Sequence, residues 1–250
     1  MTTKMKIVVP VYNAQEWIKD CIDSIATQQH KDFECVIIND CSTDKTGDVL
    51  TDLKLDSRFR IQHNKENQGA LANIVRGFDA LGSKAEPEAV LMAIDGDDKL
   101  ASPTSLAVIN KVYSKMPECL LTYGNYTDWP SGAPGICERF PQEVIANRSY
   151  RSHPRFVTSH LRTFKSKLWN QLGDSELVDP RSGKYYIVTW DMAFMMPMME
   201  MAGDRFVFVD QVLYLYNRVN PISDGYVRER EQWEANQFIR KLPNKQVVNF

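Results

Sequence analysis

Apolar residues recur along this chain in two rhythms, short blocks at strand spacing and longer blocks at helical spacing. Residues 6–10 form a compact apolar run ending in proline, and within residues 14–28 Trp17, Ile18, Cys21, Ile22 and Ile25 recur on one helical face. The order then repeats: a β-rich run at 33–39, a helical one at 43–55, a short strand at 60–63, helical spacing over 70–81, an apolar strand at 89–94 and a helix over 102–115. Strand and helix in alternation predict an α/β fold, a mostly parallel sheet flanked by helices on both faces. After a β-type run at 119–123 the rhythm stops, and residues 124–155, rich in Gly, Pro and Asn, read as a substrate-covering loop or a poorly ordered insertion. A helix over 191–202, β-type runs at 205–209 and 212–217, and a charged helical tail after Tyr226 follow. With no internal repeat and no low-complexity block, residues 1–250 read as one domain with two halves, 1–123 and 124–225, and a tail at 226–250.

Composition narrows the partners. At 250 residues and 43% apolar, the chain is long enough to bury a substantial core. Its net charge of -2 comes from 30 basic and 32 acidic side chains scattered along the sequence, which leaves no one-signed field for a polyanion, so nucleic acid is not an expected partner. Five cysteines without CxxC spacing fit neither a disulfide framework nor a zinc site, and a reducing, cytoplasmic setting is the expectation. No transmembrane segment is expected: the Met-rich run at 192–201 is interrupted by Pro197 and Glu200 and is far shorter than the ~20 residues of a spanning helix. Its methionines read as adaptable core packing.

In open parallel sheets ligands bind beyond the carboxyl ends of the strands, and those ends are polar here. They read Pro10-Val11-Tyr12-Asn13, Asp40-Cys41-Ser42-Thr43-Asp44, Asn67-Gln68-Gly69 and Asp95-Gly96-Asp97-Asp98. Three carboxylates in four residues repel one another unless a cation is shared, and a hard divalent ion, Mn²⁺ or Mg²⁺, takes carboxylate and phosphate oxygens together. The alternative is a solvated acidic turn capping the next helix with the help of Ser102 and Pro103. An EF-hand is excluded, because Lys99, Leu100 and Leu106 stand where Asp or Asn, Gly and Glu are required. Asp40 or Ser42 has the same choice between ligand contact and helix capping. The glycine-rich signatures of dinucleotide and P-loop sites are missing, as is the GxSxG elbow of serine hydrolases.

These four segments, in this order over residues 5–100, resemble the family 2 glycosyltransferases, which carry P-x-Y-N, D-x-S-x-D-x-T, N-x-G and D-x-D-D motifs. The resemblance implies a GT-A (Rossmann-like) fold, with a nucleotide-sugar-binding half at 1–123 and an acceptor-binding half at 124–225. It also implies transfer, with inversion, of a sugar from a nucleotide-diphosphate donor, a UDP-sugar by family habit, to a hydroxyl of a glycan, glycoconjugate or other acceptor. Pro10, Tyr12, Asn13, Asp40, Asn67, Gly69, Asp95 and Asp97 would then meet the donor, with Asp97, Asp95 and Asp98 around the metal. Asp191, in Thr189-Trp190-Asp191, matches the family's general base, with Trp190 replacing the usual acidic neighbour. His160 and Arg162, in Ser159-His160-Leu161-Arg162-Thr163-Phe164, match an acceptor-side segment, although an alternating strand with both side chains outward would look the same. Arg218 and Asn220 stand where many members carry a His or basic loop that closes over the diphosphate. Trp129 is a further candidate, as a sugar platform. A sugar-nucleotide nucleotidyltransferase would need a Gly- and Arg-rich loop with a Lys after the first strand, where this chain has Tyr12-Asn13-Ala14-Gln15, and an inactive binding homologue is the non-enzymatic alternative. The tail leaves open whether it packs on its own domain, on a second chain in an oligomer, or on neither.

Overall fold

The computed structural model describes residues 2–250. In chain order the elements are β1 (Met5–Val11), α1 (Ile18–Ala26), β2 (Phe33–Asn39), α2 (Thr46–Asp52), β3 (Phe59–His63), α3 (Ala70–Ala80), β4 (Val90–Ala93), β5 (Lys99–Leu100) and α4 (Ser105–Lys115). They continue with β6 (Leu121–Trp129), α5 (Gln142–Asn147), β7 (Thr163–Lys165), α6 (Ser166–Trp169), α7 (Asp174–Leu177), β8 (Val178–Asp179) and β9 (Lys184–Tyr185). The last are α8 (Trp190–Ala202), β10 (Phe206–Asn217), α9 (Asp224–Val227) and α10 (Glu229–Arg240).

Eight strands form one sheet in the order β3-β2-β1-β4-β7-β6-β10-β5, while β8 and β9 make a separate hairpin. β1 pairs in parallel with both β2 and β4, β2 with β3, and β6 with β10. The short β7 runs antiparallel between β4 and β6, and β5 is antiparallel to β10, so the sheet is mixed. Side chains of the central strands alternate between two cores. Val8, Val36 and Ile38 join a cluster with α3 and α8, whereas Ile7, Val9 and Ile37 join one with α1 and α4. Helices therefore cover both faces, as buried parallel strands require. The α/β architecture expected from the alternation of strand and helix, a sheet flanked by helices on both faces, is the one observed.

The details depart from the expected pattern in three places. The β-type runs at 205–209 and 212–217 are a single strand, β10, whose register against β6 shifts between Val209 and Val212 and again before Tyr214; such bulges hide continuity from an alternation pattern. Residues 124–155 are not simply loop: β6 runs on to Trp129, and α5 lies over Gln142–Asn147. α8 is apolar on every side because it is buried on every side, with its six methionines all in the core. Its one buried charge, Glu200, receives Arg151 Nε at 2.6 Å and Nη2 at 3.0 Å. Among the described residues no helix is long and apolar enough to cross a membrane.

Candidate active site

The chain reverses its strand order between β1 and β4, and beyond β4 the Ile94 and Gly96 N–H groups still donate to the Val8 and Pro10 carbonyls at 3.0 and 3.1 Å. The β1–β4 ladder stops at Val8–Ala93, and Pro10, which has no N–H to donate, stands two residues beyond. A crevice of about 1200 Å³ begins there, and the residues expected around the site line it, from Pro10 and Tyr12 to Trp190, Asp191, Arg218 and Asn220, with the exception of Trp129.

The segments that follow β1, β2 and β3 are locked to one another by their own polar groups. Asn13, at φ 48°, accepts the Thr43 N–H at 2.8 Å on its side-chain oxygen and donates its backbone N–H to Ser42 Oγ at 3.0 Å. Thr46 Oγ1 accepts the Ala14 N–H at 2.8 Å, and Asp44 accepts the N–H groups of Gln15 and Thr46. Asp40 is 3% exposed and takes Asn64 Nδ2 and the Gln68 N–H on one oxygen and the Gly69 N–H on the other, at 2.7, 2.8 and 2.8 Å. Neither Asp40 nor Ser42 caps α2; both shape the crevice rim. Gly69 enters α3 at φ +85°, a conformation that disfavours side chains.

The acidic segment does not cap the next helix either, which corrects that reading: β5 intervenes, and Ser102 Oγ serves the turn before α4. Instead β10 clamps it. Tyr214 donates its hydroxyl to Asp98 at 2.8 Å and accepts the Asp95 N–H at 3.1 Å; the Asn217 N–H reaches Asp98 at 2.6 Å, and Asn220 Nδ2 reaches Asp97 at 2.7 Å. A Cβ on Gly96 would lie 2.6 Å from Val11 Cβ, so only glycine lets this turn pass the end of β1. Burial, then the Asp95 carboxylate, pushes Asp97 up to about 6. Burial also raises Asp95, and burial with its two neighbours holds Asp98 far above the usual carboxylate range. Crowded carboxylates raised in this way are the donor set a hard divalent cation fits, because it removes both causes at once.

Across the crevice, Arg162 is 3% exposed and His160 5%, so the outward-facing strand alternative fails; β7 begins only at Thr163. Arg162 Nη1 donates to Asp191 Oδ2 at 2.8 Å, and its guanidinium lies 5.4 Å from the centre of the Trp190 ring. Arg162 Nη2 meets His160 Nε2 at 2.7 Å. Guanidinium only donates, so His160 is neutral with its proton on Nδ1, towards Ser159 Oγ at 3.1 Å. Burial and then Arg162 press its pKa well below the usual range, in agreement. His160 also stacks on Tyr214 at 4.5 Å and stands 3.4 Å from Asp95 Oδ2. Asp95, Asp98 and His160 thus bring ligand atoms within 4.8 Å of one another. However, His160 Nε2 already accepts from Arg162 and Asp98 already accepts two protein hydrogen bonds, so Asp95 and Asp97 are the carboxylates with oxygens to spare.

Thr189, a β-branched residue at φ 54°, sits in the sparsely allowed left-handed region just before Trp190 and Asp191. Arg218 is drawn to Asp128 at 3.0 Å on the crevice wall, whereas Trp129 stands outside the crevice under the Lys99 ammonium. Tyr214 and Asn217 were missed from the sequence, because a tyrosine and an asparagine in a β-type run carry no signal of what they clamp. The crevice thus sets an acidic turn on one lip against a carboxylate at a helix start on the other.

Comparison with known proteins gives the family. Residues 6–173 match the sequence profile of glycosyl transferase family 2, and the chain belongs to that family of enzymes. It is similar to glycosyltransferase GlyG of Streptococcus pneumoniae serotype 4, at 22% identity over 231 residues, 87% of this chain and 72% of that protein. The putative teichuronic acid biosynthesis glycosyltransferase TuaG of Bacillus subtilis is 39% identical over 67 residues, 26% of this chain and 27% of that one. Among solved structures, S. aureus TarS 1–349 in complex with UDP-GlcNAc superposes with a TM-score of 0.63 at 16% identity, covering 95% of this chain and 65% of that one. Mannosyltransferase PcManGT from Pyrobaculum calidifontis, in complex with GDP-Man and Mn²⁺, gives 0.59 at 18% identity, covering 96% and 63%. The chain therefore spans less than two thirds of TuaG and of both structural neighbours.

Proposed function

We propose that this protein transfers a sugar from a nucleoside diphosphate-sugar, a UDP-sugar in the leading reading, to an acceptor hydroxyl with inversion at the anomeric carbon. The observation that carries this reading is the meeting, in one crevice, of the Asp95–Asp97 turn with Asp191, held by the buried Arg162. Tyr12, exposed at the rim, offers a face to the base, while Asp40 acts by holding the 64–69 loop in place. Asp95 and Asp97 would hold a divalent ion, Mn²⁺ or Mg²⁺; when bound, the ion offsets the charge on the diphosphate. Asp98 anchors the turn to β10. Asp191, oriented by Arg162, takes the proton of the acceptor hydroxyl as its oxygen attacks the anomeric carbon from the face opposite the diphosphate. The bond from that carbon to the diphosphate oxygen breaks, and its electron pair leaves with the nucleoside diphosphate.

Thermal unfolding with UDP, GDP, TDP and CMP, each with Mn²⁺ and with EDTA, tests the donor site, since a ligand that binds only the folded state raises Tm. One nucleoside diphosphate should raise Tm with Mn²⁺ and not with EDTA, and Asp97→Asn should abolish the rise. An Mn²⁺-independent rise, or an unchanged one in Asp97→Asn, would remove the metal assignment; no rise with any nucleotide would remove the donor reading.

A further inference from the structure

α10 presents one face to the crevice. Glu229, Gln232, Trp233 and Asn236, spaced i, i+3, i+4 and i+7, all line it. Two bonds fasten this face to the start of α8: Thr189 Oγ1 donates to the Gln232 carbonyl at 3.2 Å, and Asn236 Nδ2 lies 3.0 Å from Met192 Sδ. Those anchors flank Trp190 and Asp191 and so fasten this face of α10 next to the start of α8 that bears the base. The bidentate Arg151–Glu200 pair, through Arg151 Nη1 and the Ile239 carbonyl at 2.6 Å, fixes the far end of the helix. Yet Trp233 leaves 64% of its surface in solvent, the largest exposure of any large apolar side chain among the described residues. Among the described residues the Gln232 amide and the Glu229 carboxylate make no hydrogen bond or ion pair with other side chains. A rigid helix that holds an uncovered indole beside uncommitted amide and carboxylate groups is suited to a ligand with an apolar face and a hydroxylated edge. A pyranose ring is such a ligand: its C–H face packs on an aromatic ring and its hydroxyls both donate and accept.

We infer that α10 carries the acceptor subsite, with a sugar ring stacked on Trp233 and its hydroxyls met by Gln232 and Glu229. The acceptor is then a saccharide and not a simple polyol. This rests on the transfer reaction proposed above, and it narrows that reaction's acceptor class.

The test is calorimetric titration of the full-length chain with methyl β-glucoside, methyl β-galactoside and methyl N-acetyl-β-glucosaminide, with glycerol as a hydroxylated control lacking a ring. At least one glycoside should bind saturably and glycerol should not. Trp233→Ala should weaken that binding at least about tenfold, and Trp233→Phe should restore most of it. The Tm rise with Mn²⁺ and nucleoside diphosphate should be the same in all three proteins, which shows that each is folded with its donor site intact. Binding of no glycoside, equal binding of glycerol, or undiminished binding in Trp233→Ala would overturn the subsite. Loss of the nucleotide effect in the wild type would instead overturn the transfer reading, so the two failures are distinguishable.

Discussion

The two lips of the crevice hold their carboxylates by different means. On the donor lip, loops that leave parallel strands side by side tie themselves together: Asp40 accepts the backbone N–H groups of Gln68 and Gly69, and Asn13 accepts that of Thr43. On the acceptor lip, Asp191 is held by a buried guanidinium from a segment 29 residues earlier, and the helix bearing it is tied to the rest by the buried Arg151–Glu200 pair. Backbone amides at strand ends are supplied by the fold and tolerate many neighbouring side chains. A buried ion pair depends on two particular residues, and removing either leaves the other uncompensated. The donor lip should therefore resist single substitutions outside its glycines and carboxylates, while the acceptor lip should fail at single buried charges.

Glu200→Ala should show this most strongly. It strands the Arg151 guanidinium, 7% exposed, and should lower stability by about 3–5 kcal/mol in denaturant unfolding; a loss no larger than that of an exposed ion pair would break the contrast. Asp191→Asn should leave nucleotide affinity intact and slow transfer by ~10²-fold or more in steady-state kinetics. Normal turnover would move the base to another residue.

On the donor lip the expected effects are smaller. Gly96→Ala puts a methyl group against Val11 and should cost about 1–3 kcal/mol, read as a shift in the denaturant midpoint. Weakened nucleotide binding should accompany it, since the acidic turn must move. The smallest effect is that of pH, because Asp97 keeps partial solvent contact. Its folded pKa of about 6 lies above the ordinary 3.8, so between those values the folded chain retains a proton that the unfolded chain has lost. Metal-free stability should therefore fall as pH rises through this window and level off above it. Mn²⁺, which competes with that proton, should stabilise the protein more at the upper end. A metal-free Tm that rises across the same window would contradict the assignment.

The difference between the lips also explains which parts of the molecule were legible in advance. On the donor side each functional group lies within a few residues of a strand end, and the strand at Phe33–Asn39 falls where its apolar run places it. On the acceptor side the bulged β10 reads as two pieces, and for Arg162 the sequence leaves a site contact and an outward side chain both open, because a buried arginine has no local signature. Arg151 sits in a stretch without periodicity, and nothing near it in sequence points to Glu200, 49 residues on. Trp233 was indistinguishable from any other residue of a charged tail.

The alternating α/β order, the two-sided burial of the central strands and the chemistry of the four strand-end motifs follow from the amino-acid order alone, because strand and helix periods and turn residues are local properties. Tertiary packing sets the rest: β10 clamps the acidic turn through Tyr214 and Asn217, Arg162 faces Asp191, and α10 brings Trp233 to the same crevice. Those arrangements depend on which buried charges and hydroxyls find partners when distant segments pack, and a linear pattern of apolar and polar positions does not encode the choice of partner.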